Sequence, residues 1–293
     1  MEISDLKKGI LFVVISSLGF SIIPILATLG FSADITAGAM LFYRFLIAAC
    51  LFFVYCIVKR QPLIFQEKKN YGYLTIAGII YATQCTLYFS AFHYISAAVG
   101  EVIFYIYPVF VAILSAIFLK EQITKFKVVG IAAALAGIGV VLYAPGGGIQ
   151  MKGVLLVILS AFTSSCYFTF NKKFTSAINT TVLMTYICTV CAGVSLIYSL
   201  SRGEFSVPGD WKVWLNIGIL AVWSTVIGLF CLMKGLKLLE AGMASIVSLS
   251  EPIFTILLSF LILGTSLTPF QFLGAAVVMI AIYIYEKGDR NAK

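Results

Sequence analysis

Charged side chains are scarce in this chain: Asp, Glu, Lys and Arg make up 11% of its 293 residues, against about 25% in soluble domains. Histidine is nearly missing, with His93 the only one. No H-E-x-x-H helix, no cluster of metal ligands and no nucleophile–histidine–acid set can be written, so neither a metal nor a cofactor is expected, and an intramembrane enzyme is disfavoured. A G-x-x-x-x-G-K-[ST] run is absent as well, which removes direct coupling to ATP hydrolysis within this chain. With 61% hydrophobic residues and a mean hydropathy of +1.05, the composition excludes a secreted disulfide scaffold, a nucleic-acid-binding domain and a cytosolic enzyme.

What the sequence does have is apolar blocks of about 20 residues, the length a helix needs to cross about 30 Å of hydrocarbon. Ten are read, at 9–30, 35–58, 72–92, 97–119, 125–143, 152–171, 181–200, 212–233, 240–263 and 269–285. The expected fold class is therefore an all-α polytopic membrane protein with ten transmembrane helices. Placing the N-terminus in the cytoplasm puts Lys7-Lys8, Lys59-Arg60, Lys68-Lys69, Lys120, Lys125, Lys127, Lys172-Lys173, Lys234, Lys237, Lys287, Arg290 and Lys293 on the inner side. Only Lys152, Arg202 and Lys212 then lie outside. That bias over short loops predicts a multi-pass cell-membrane protein with both termini inside. The net charge of +8 thus reports orientation in the bilayer, and no nucleic-acid partner is expected.

The apolar run after Lys7-Lys8 is longer than the core of a signal peptide and lacks a small-x-small cleavage site, so it reads as the first span. All seven cysteines fall inside spans, where they read as small buried residues; Cys188 and Cys191 form a C-x-x-C on a helix without further metal ligands.

Sliding the chain by 144 residues aligns its halves. Gly9 meets Gly153, Ala97 meets Ala241, Pro108 meets Pro252, Ser115 meets Ser259, Thr124 meets Thr268, Phe126 meets Phe270 and Gly130 meets Gly274. Residues 1–145 and 146–293 read as two copies of a five-helix unit, linked by Pro145-Gly146-Gly147-Gly148. Five is odd, so the second copy enters the membrane upside down. Inverted repeats of this kind hold a substrate site near the midplane, between the copies.

The two pieces AFHYISAAVGEVIFYIYPVFVAILSAIFLKEQIT (from Ala91) and GLKLLEAGMASIVSLSEPIFTILLSFLILGTSLT (from Gly235), each followed by a glycine at 130 or 274, carry a resemblance. Together with ten spans in two copies, they resemble the EamA-type members of the drug/metabolite transporter superfamily. The resemblance implies export of small metabolites such as amino acids or nucleobase-like compounds. In one respect the chain departs from that pattern: Lys120-Glu121 in the first copy faces Gly264-Thr265 in the second. Glu121 is accordingly read as a surface turn residue.

An ionisable side chain at membrane depth is costly and marks a functional site by default. Three stand out: Arg44 in span two, Glu101 near the outer end of span four, and Glu251, eleven residues (about 16 Å) into span nine. Pro252 follows Glu251 and frees the carbonyl of Ser248, a break that survives only against protein or a wet cavity. Ser248, Glu251, Pro252, Thr255 and Ser259 make one polar stripe; Glu101, Tyr105, Pro108, Ala112 and Ser115 make another. Shorter stripes run along Ser17, Ser21, Pro24 and Thr28, along Ser160, Ser164, Tyr167 and Asn171, and along Gln84 and Tyr88, with His93 beyond. Trp223 and Ser224 join from span eight. Serine and threonine hydroxyls on such helices usually bond their own backbone, and Glu251 could instead form a structural ion pair with Arg44.

The converging stripes predict a polar cavity lined from spans one, three, four, six, eight and nine. Spans five and ten present small residues and are placed at the periphery, as scaffold or dimer contact, so that monomer and homodimer both stay open. The expected function is a secondary transporter of small molecules working by alternating access, with Glu251 and Glu101 as the groups to carry protons if protons couple. A passive facilitator of the same fold and a membrane interaction protein that transports nothing are the alternatives.

Overall fold

The computed structural model describes residues 3–64, 67–95, 97–142, 150–175 and 178–263, with scattered positions from 269 to 284. At some helical positions, Pro252 and Ser259 among them, only the backbone is described. The expected link at 145–148 and about half of the tenth span lie outside the described residues.

Every regular element among the described residues is helical. Span one is split into α1 (Ile3–Phe20) and α2 (Ile23–Phe31), and spans two and three are α3 (Ala37–Val58) and α4 (Lys69–Ala91). Span four is split into α5 (Ala97–Phe104) and α6 (Tyr107–Leu119), and α7 (Lys125–Leu142) follows. In the second half, α8 (Met151–Phe170) runs into a π-helical turn at Asn171–Thr175, and α9 is Thr180–Ser201. Span eight comprises α10 (Trp211–Ile219), a π-helical stretch at Leu220–Leu229 and α11 (Phe230–Leu238). Span nine comprises α12 (Ala241–Val247), a 3-10 turn at Ser248–Ser250 and α13 (Glu251–Leu263). Six segments are long and apolar enough to cross a membrane: Asp5–Phe31, Ala37–Val58, Lys69–Ala91, Met151–Phe174, Thr180–Ser201 and Trp211–Leu238. Polytopic membrane insertion follows from them.

Four of the expected continuous spans are interrupted. Pro24 and Pro108 stand at the first turns of α2 and α6, and Pro252 is the second residue of α13. A proline has no N–H and leaves the carbonyl four residues earlier without its helical donor, so it suits the start of a helix and breaks its interior. In span nine the freed carbonyl finds a substitute: Ser248 O accepts from Ser17 Oγ at 3.3 Å. Span eight has no proline, and its interruption is a ten-residue change of helical pitch.

The two halves pack through swapped pairs of helices. Spans two and seven, counterparts under the 144-residue shift, lie against each other as α3 and α9. They run in opposite senses: Gly38, near the start of α3, abuts Ser199 at the end of α9, while Cys56, near the end of α3, contacts Thr185 near the start of α9. The contact of span one with span eight is matched by that of span six with span three. A Cβ on Gly9 would lie 2.7 Å from the Leu239 side chain, and a Cβ on its counterpart Gly153 would lie 2.8 Å from Ile95, the counterpart of Leu239. The glycines let the helices approach where a side chain would hold them apart. Such reciprocity is what a pseudo-twofold axis between oppositely oriented copies produces.

The outward surface is apolar. On α3, Leu46, Leu51, Phe53, Val54 and Ile57 are exposed while Met40, Leu41, Arg44, Phe45 and Ala48 are buried. A face of that composition belongs against lipid tails. α7 packs on α5 and α6, and Phe126, Val128 and Val129 are exposed on it.

Candidate functional site

The interrupted helices converge on one cavity of about 60 Å³. Phe20 and Ile23 flank the break in span one, and Phe104 and Tyr107 flank the break in span four. Ser248 and Glu251 come from the break in span nine. Tyr81, Gln84, Cys85 and Tyr88 line it from one face of α4, where residues three and four apart stack on the same side. Arg44 comes from α3, Ser164 and Tyr167 from α8, and Leu232 from α11. Broken helices around a central site are the arrangement by which irregular backbone is tolerated at membrane depth.

Glu101 is 4% exposed and sits at the centre of a hydrogen-bonded group. Tyr105 OH donates to its Oε1 at 2.9 Å and Tyr88 OH donates to its Oε2. The Glu251 side chain hydrogen-bonds the Glu101 side chain. Neither carboxylate can donate, so two carboxyl groups bond in this way only when one of them carries a proton. Tyr107 OH donates to Ser245 O at 2.9 Å, tying α6 to α12. Under the 144-residue shift, residues 107 and 245 become 251 and 101. The Tyr107–Ser245 and Glu251–Glu101 contacts are therefore the same contact seen in the two copies.

Arg44 is 1% exposed. Its Nε donates to Thr225 Oγ1 at 2.7 Å, within the π-helical stretch of span eight. Its guanidinium carbon lies 5.2 Å from the centroid of the Phe45 ring. Nη2 has no hydrogen-bond partner among the described residues. The ion pairs found among them, Lys8–Asp5, Lys69–Glu67 and Arg202–Glu204, do not involve Arg44, so the Arg44–Glu251 pair is not formed. The reason lies in partner choice, since Glu251 bonds Glu101 and Arg44 bonds Thr225.

Eight of the expected residues line the cavity together: Arg44, Gln84, Tyr88, Glu101, Ser164, Tyr167, Ser248 and Glu251. Others stand behind it or away from it. Tyr105 supports Glu101 from outside the lining, and Thr255 Oγ1 donates to the Glu251 carbonyl at 3.1 Å. Ser21 is fully buried with its hydroxyl on Leu18 O at 2.8 Å, the local backbone bond that serines on such helices favour. Pro108 is buried at the start of α6 and does not reach the lining. Trp223 is 40% exposed and donates from Nε1 to Leu18 O, which places it on the flank of the bundle. The side chain of Pro252 lies outside the described residues.

Several lining residues went unread in the sequence. Tyr81 and Cys85 extend the Gln84–Tyr88 face by one turn, and Tyr107 holds the place before Pro108 that Glu251 holds before Pro252. The 144-residue shift that pairs those prolines also pairs Tyr107 with Glu251, so the signal for Tyr107 is present in the sequence. Glu121 is a correction as well. Its carboxylate accepts from the backbone N–H of Ala241 at 3.0 Å and of Gly242 at 3.3 Å, so it caps α12 rather than standing free on a turn.

His93 is exposed beside Phe31, with ring centroids 5.3 Å apart, and does not line the cavity. Cys191 Sγ donates to Gly78 O at 3.3 Å, and all seven cysteines are free. No group of three or more potential metal ligands occurs among the described residues.

Comparison with known proteins agrees with this architecture. The model of the EamA-like transporter family matches residues 7–143 and again residues 151–285. An uncharacterized transporter of Archaeoglobus fulgidus is 34% identical over 65% of this chain and 68% of its own length. The uncharacterized transporter YyaM of Bacillus subtilis is 28% identical over 87% of this chain and 85% of its own. The pseudopaline exporter CntI of Pseudomonas aeruginosa is 24% identical over 76% and 77%. A crystal structure superposes with a TM-score of 0.80 over 98% of this chain and 99% of its own, at 19% identity, which supports the fold alone. With two matches to one family model, end to end in a bundle of apolar helices, the chain belongs to the EamA-like transporter family.

Proposed function

We propose that this protein is a secondary active transporter that exports small metabolites across the cell membrane by alternating access. The observation that carries this reading is the Glu101–Glu251 carboxyl pair, which lines the cavity where the interrupted helices of both copies meet. A proton held by two acids in such a place can drive transport only if the cavity communicates with one side of the membrane at a time. Proton exchange against substrate then supplies the driving force. Export is supported by the likeness to an exporter. Ten spans in two five-helix copies, divided near residue 145 with both termini in the cytoplasm, complete the reading, on the strength of the lysine and arginine distribution.

The cavity's two chemical poles suit the role. The acid pair with its tyrosine donors forms one, and Arg44 forms the other. Tyr81 and Tyr167, with ring centroids 4.7 Å apart and planes inclined at 33°, supply aromatic lining to the same cavity. The test is an untargeted comparison of metabolites in medium and cytoplasm, with and without overproduction of the protein. At least one metabolite should accumulate in the medium with wild-type protein and stop doing so when the pH gradient is dissipated. A metabolite that moves regardless of the gradient identifies a facilitator. No change in any metabolite removes the transport reading.

A further inference from the structure

The charge balance inside the cavity narrows the class of substrate, an argument that rests on the transport reading. Arg44 is buried at the wall with Nη2 unpartnered among the described residues, and its one polar contact goes to a neutral hydroxyl, that of Thr225. The acids that could neutralise it are occupied with each other and with tyrosine hydroxyls. An isolated buried cation is destabilising, and such a residue within a membrane marks a substrate or ion pathway by default.

From this arrangement we infer that the transported species is a monoanionic organic acid with an apolar or aromatic body, its carboxylate received by Arg44. The guanidinium is planar and presents paired donors that match a carboxylate. With Nε on Thr225, Nη2 remains for the ligand. The body would lie among Tyr81, Tyr88, Phe104 and Tyr167, which line the same cavity. A zwitterion needs in addition an acceptor for its ammonium group. Both oxygens of Glu101 already accept tyrosine hydroxyls, and Glu251 is bonded to Glu101, so the site disfavours that second charge.

The experiment uses the purified full-length protein in lipid nanodiscs and measures thermal stabilisation, since ligands that bind the native state raise apparent stability. The probes are matched sets on phenylpropyl, indolyl-propyl and branched aliphatic bodies, each as the carboxylate, its uncharged amide, the α-amino acid and the amine. At least one carboxylate should stabilise the protein at concentrations about tenfold below its amide and its amino acid, a difference of about 1.4 kcal/mol. Arg44→Gln should erase that preference and Arg44→Lys should keep part of it. If Arg44→Gln fails to fold, the comparison within wild-type protein still decides.

Equal or better binding of amides, amino acids or amines overturns the inference and leaves transport intact. Stabilisation by chloride that no organic acid competes with also overturns it, because Arg44 would then hold an inorganic ion. No response from any set overturns the anion class, whereas only the metabolite comparison can remove transport itself.

Discussion

Tyr107 and Glu251 stand 144 residues apart, each immediately before a proline that opens a helix, and both face the same cavity. The pseudo-twofold relation therefore sets a phenol on one side of the axis where it sets a carboxyl group on the other. Tyr107 reaches the Ser245 carbonyl and Glu251 reaches the Glu101 side chain. One copy contributes a fixed neutral bond and the other a bond that depends on a proton.

Glu251→Gln follows from that difference. An amide retains hydrogen-bonding capacity toward Glu101 and removes the exchangeable proton. Transport of the metabolite found in the overproduction experiment should continue down its own gradient, while its response to an imposed pH gradient should disappear. A variant that responds to the gradient as wild type does would move coupling away from this pair.

Tyr105→Phe removes a buried donor from Glu101 without touching the cavity lining. Leaving a buried acceptor short of a partner costs about 1–3 kcal/mol. Apparent stability in thermal unfolding should fall by that amount. Ser201→Ala, which removes an exposed local bond, should leave it unchanged.

Gly19 and Gly228 make a backbone-to-backbone contact between α1 and the π-helical stretch, and a Cβ on Gly19 would lie 2.8 Å from the Gly228 Cα. Neither backbone can turn aside as a flexible side chain would. Gly19→Ala should destabilise by about 1–3 kcal/mol through overpacking. Gly193→Ala, where nothing lies within 4 Å, should be neutral or stabilising by up to about 1 kcal/mol. Equal effects of the two in thermal unfolding would contradict the close approach.

Glu121→Ala uncaps α12. Loss of a side-chain cap costs a helix about 0.5–2 kcal/mol, and the first-turn amides of Ala241 and Gly242 should exchange with solvent several-fold faster in hydrogen–deuterium exchange. Unchanged exchange there would mean that the Glu121 bonds do not persist.

Helix placement was legible because hydrocarbon thickness imposes its length on the sequence: α3, α4 and α9 match their expected spans to within a few residues. The stripes led to the cavity for the same reason, since a polar side chain at membrane depth must face protein or water. The π-helical stretch at Leu220–Leu229 has no such signature, because a change of pitch is set by what packs against the helix. Partner choice was equally hidden. Arg44 and Glu251 are the conspicuous opposite charges in the sequence, yet their distances to Thr225 and Glu101 are fixed by tertiary packing. Trp223 shows the limit of reading hydroxyl and indole neighbours as one face, for the stretch it lies in does not keep α-helical periodicity.

At the end of the bundle where α6 stops and α12 begins, one charged side chain ties the first half to the second, and two others bond within the second half. Glu121 holds the start of α12. Lys172 Nζ donates to Leu236 O at 2.9 Å and to Leu239 O at 2.6 Å, and Lys237 Nζ donates to Ile178 O. The matching positions of the other copy hold Thr265, Thr28 and His93, of which Thr28 turns its hydroxyl back to Pro24 O. Perfectly equivalent halves would leave the molecule no preference between facing one compartment and facing the other. Here the charged Glu121 bond that joins the copies at one end has an uncharged threonine at its counterpart position, so the two ends of the bundle are held together unequally.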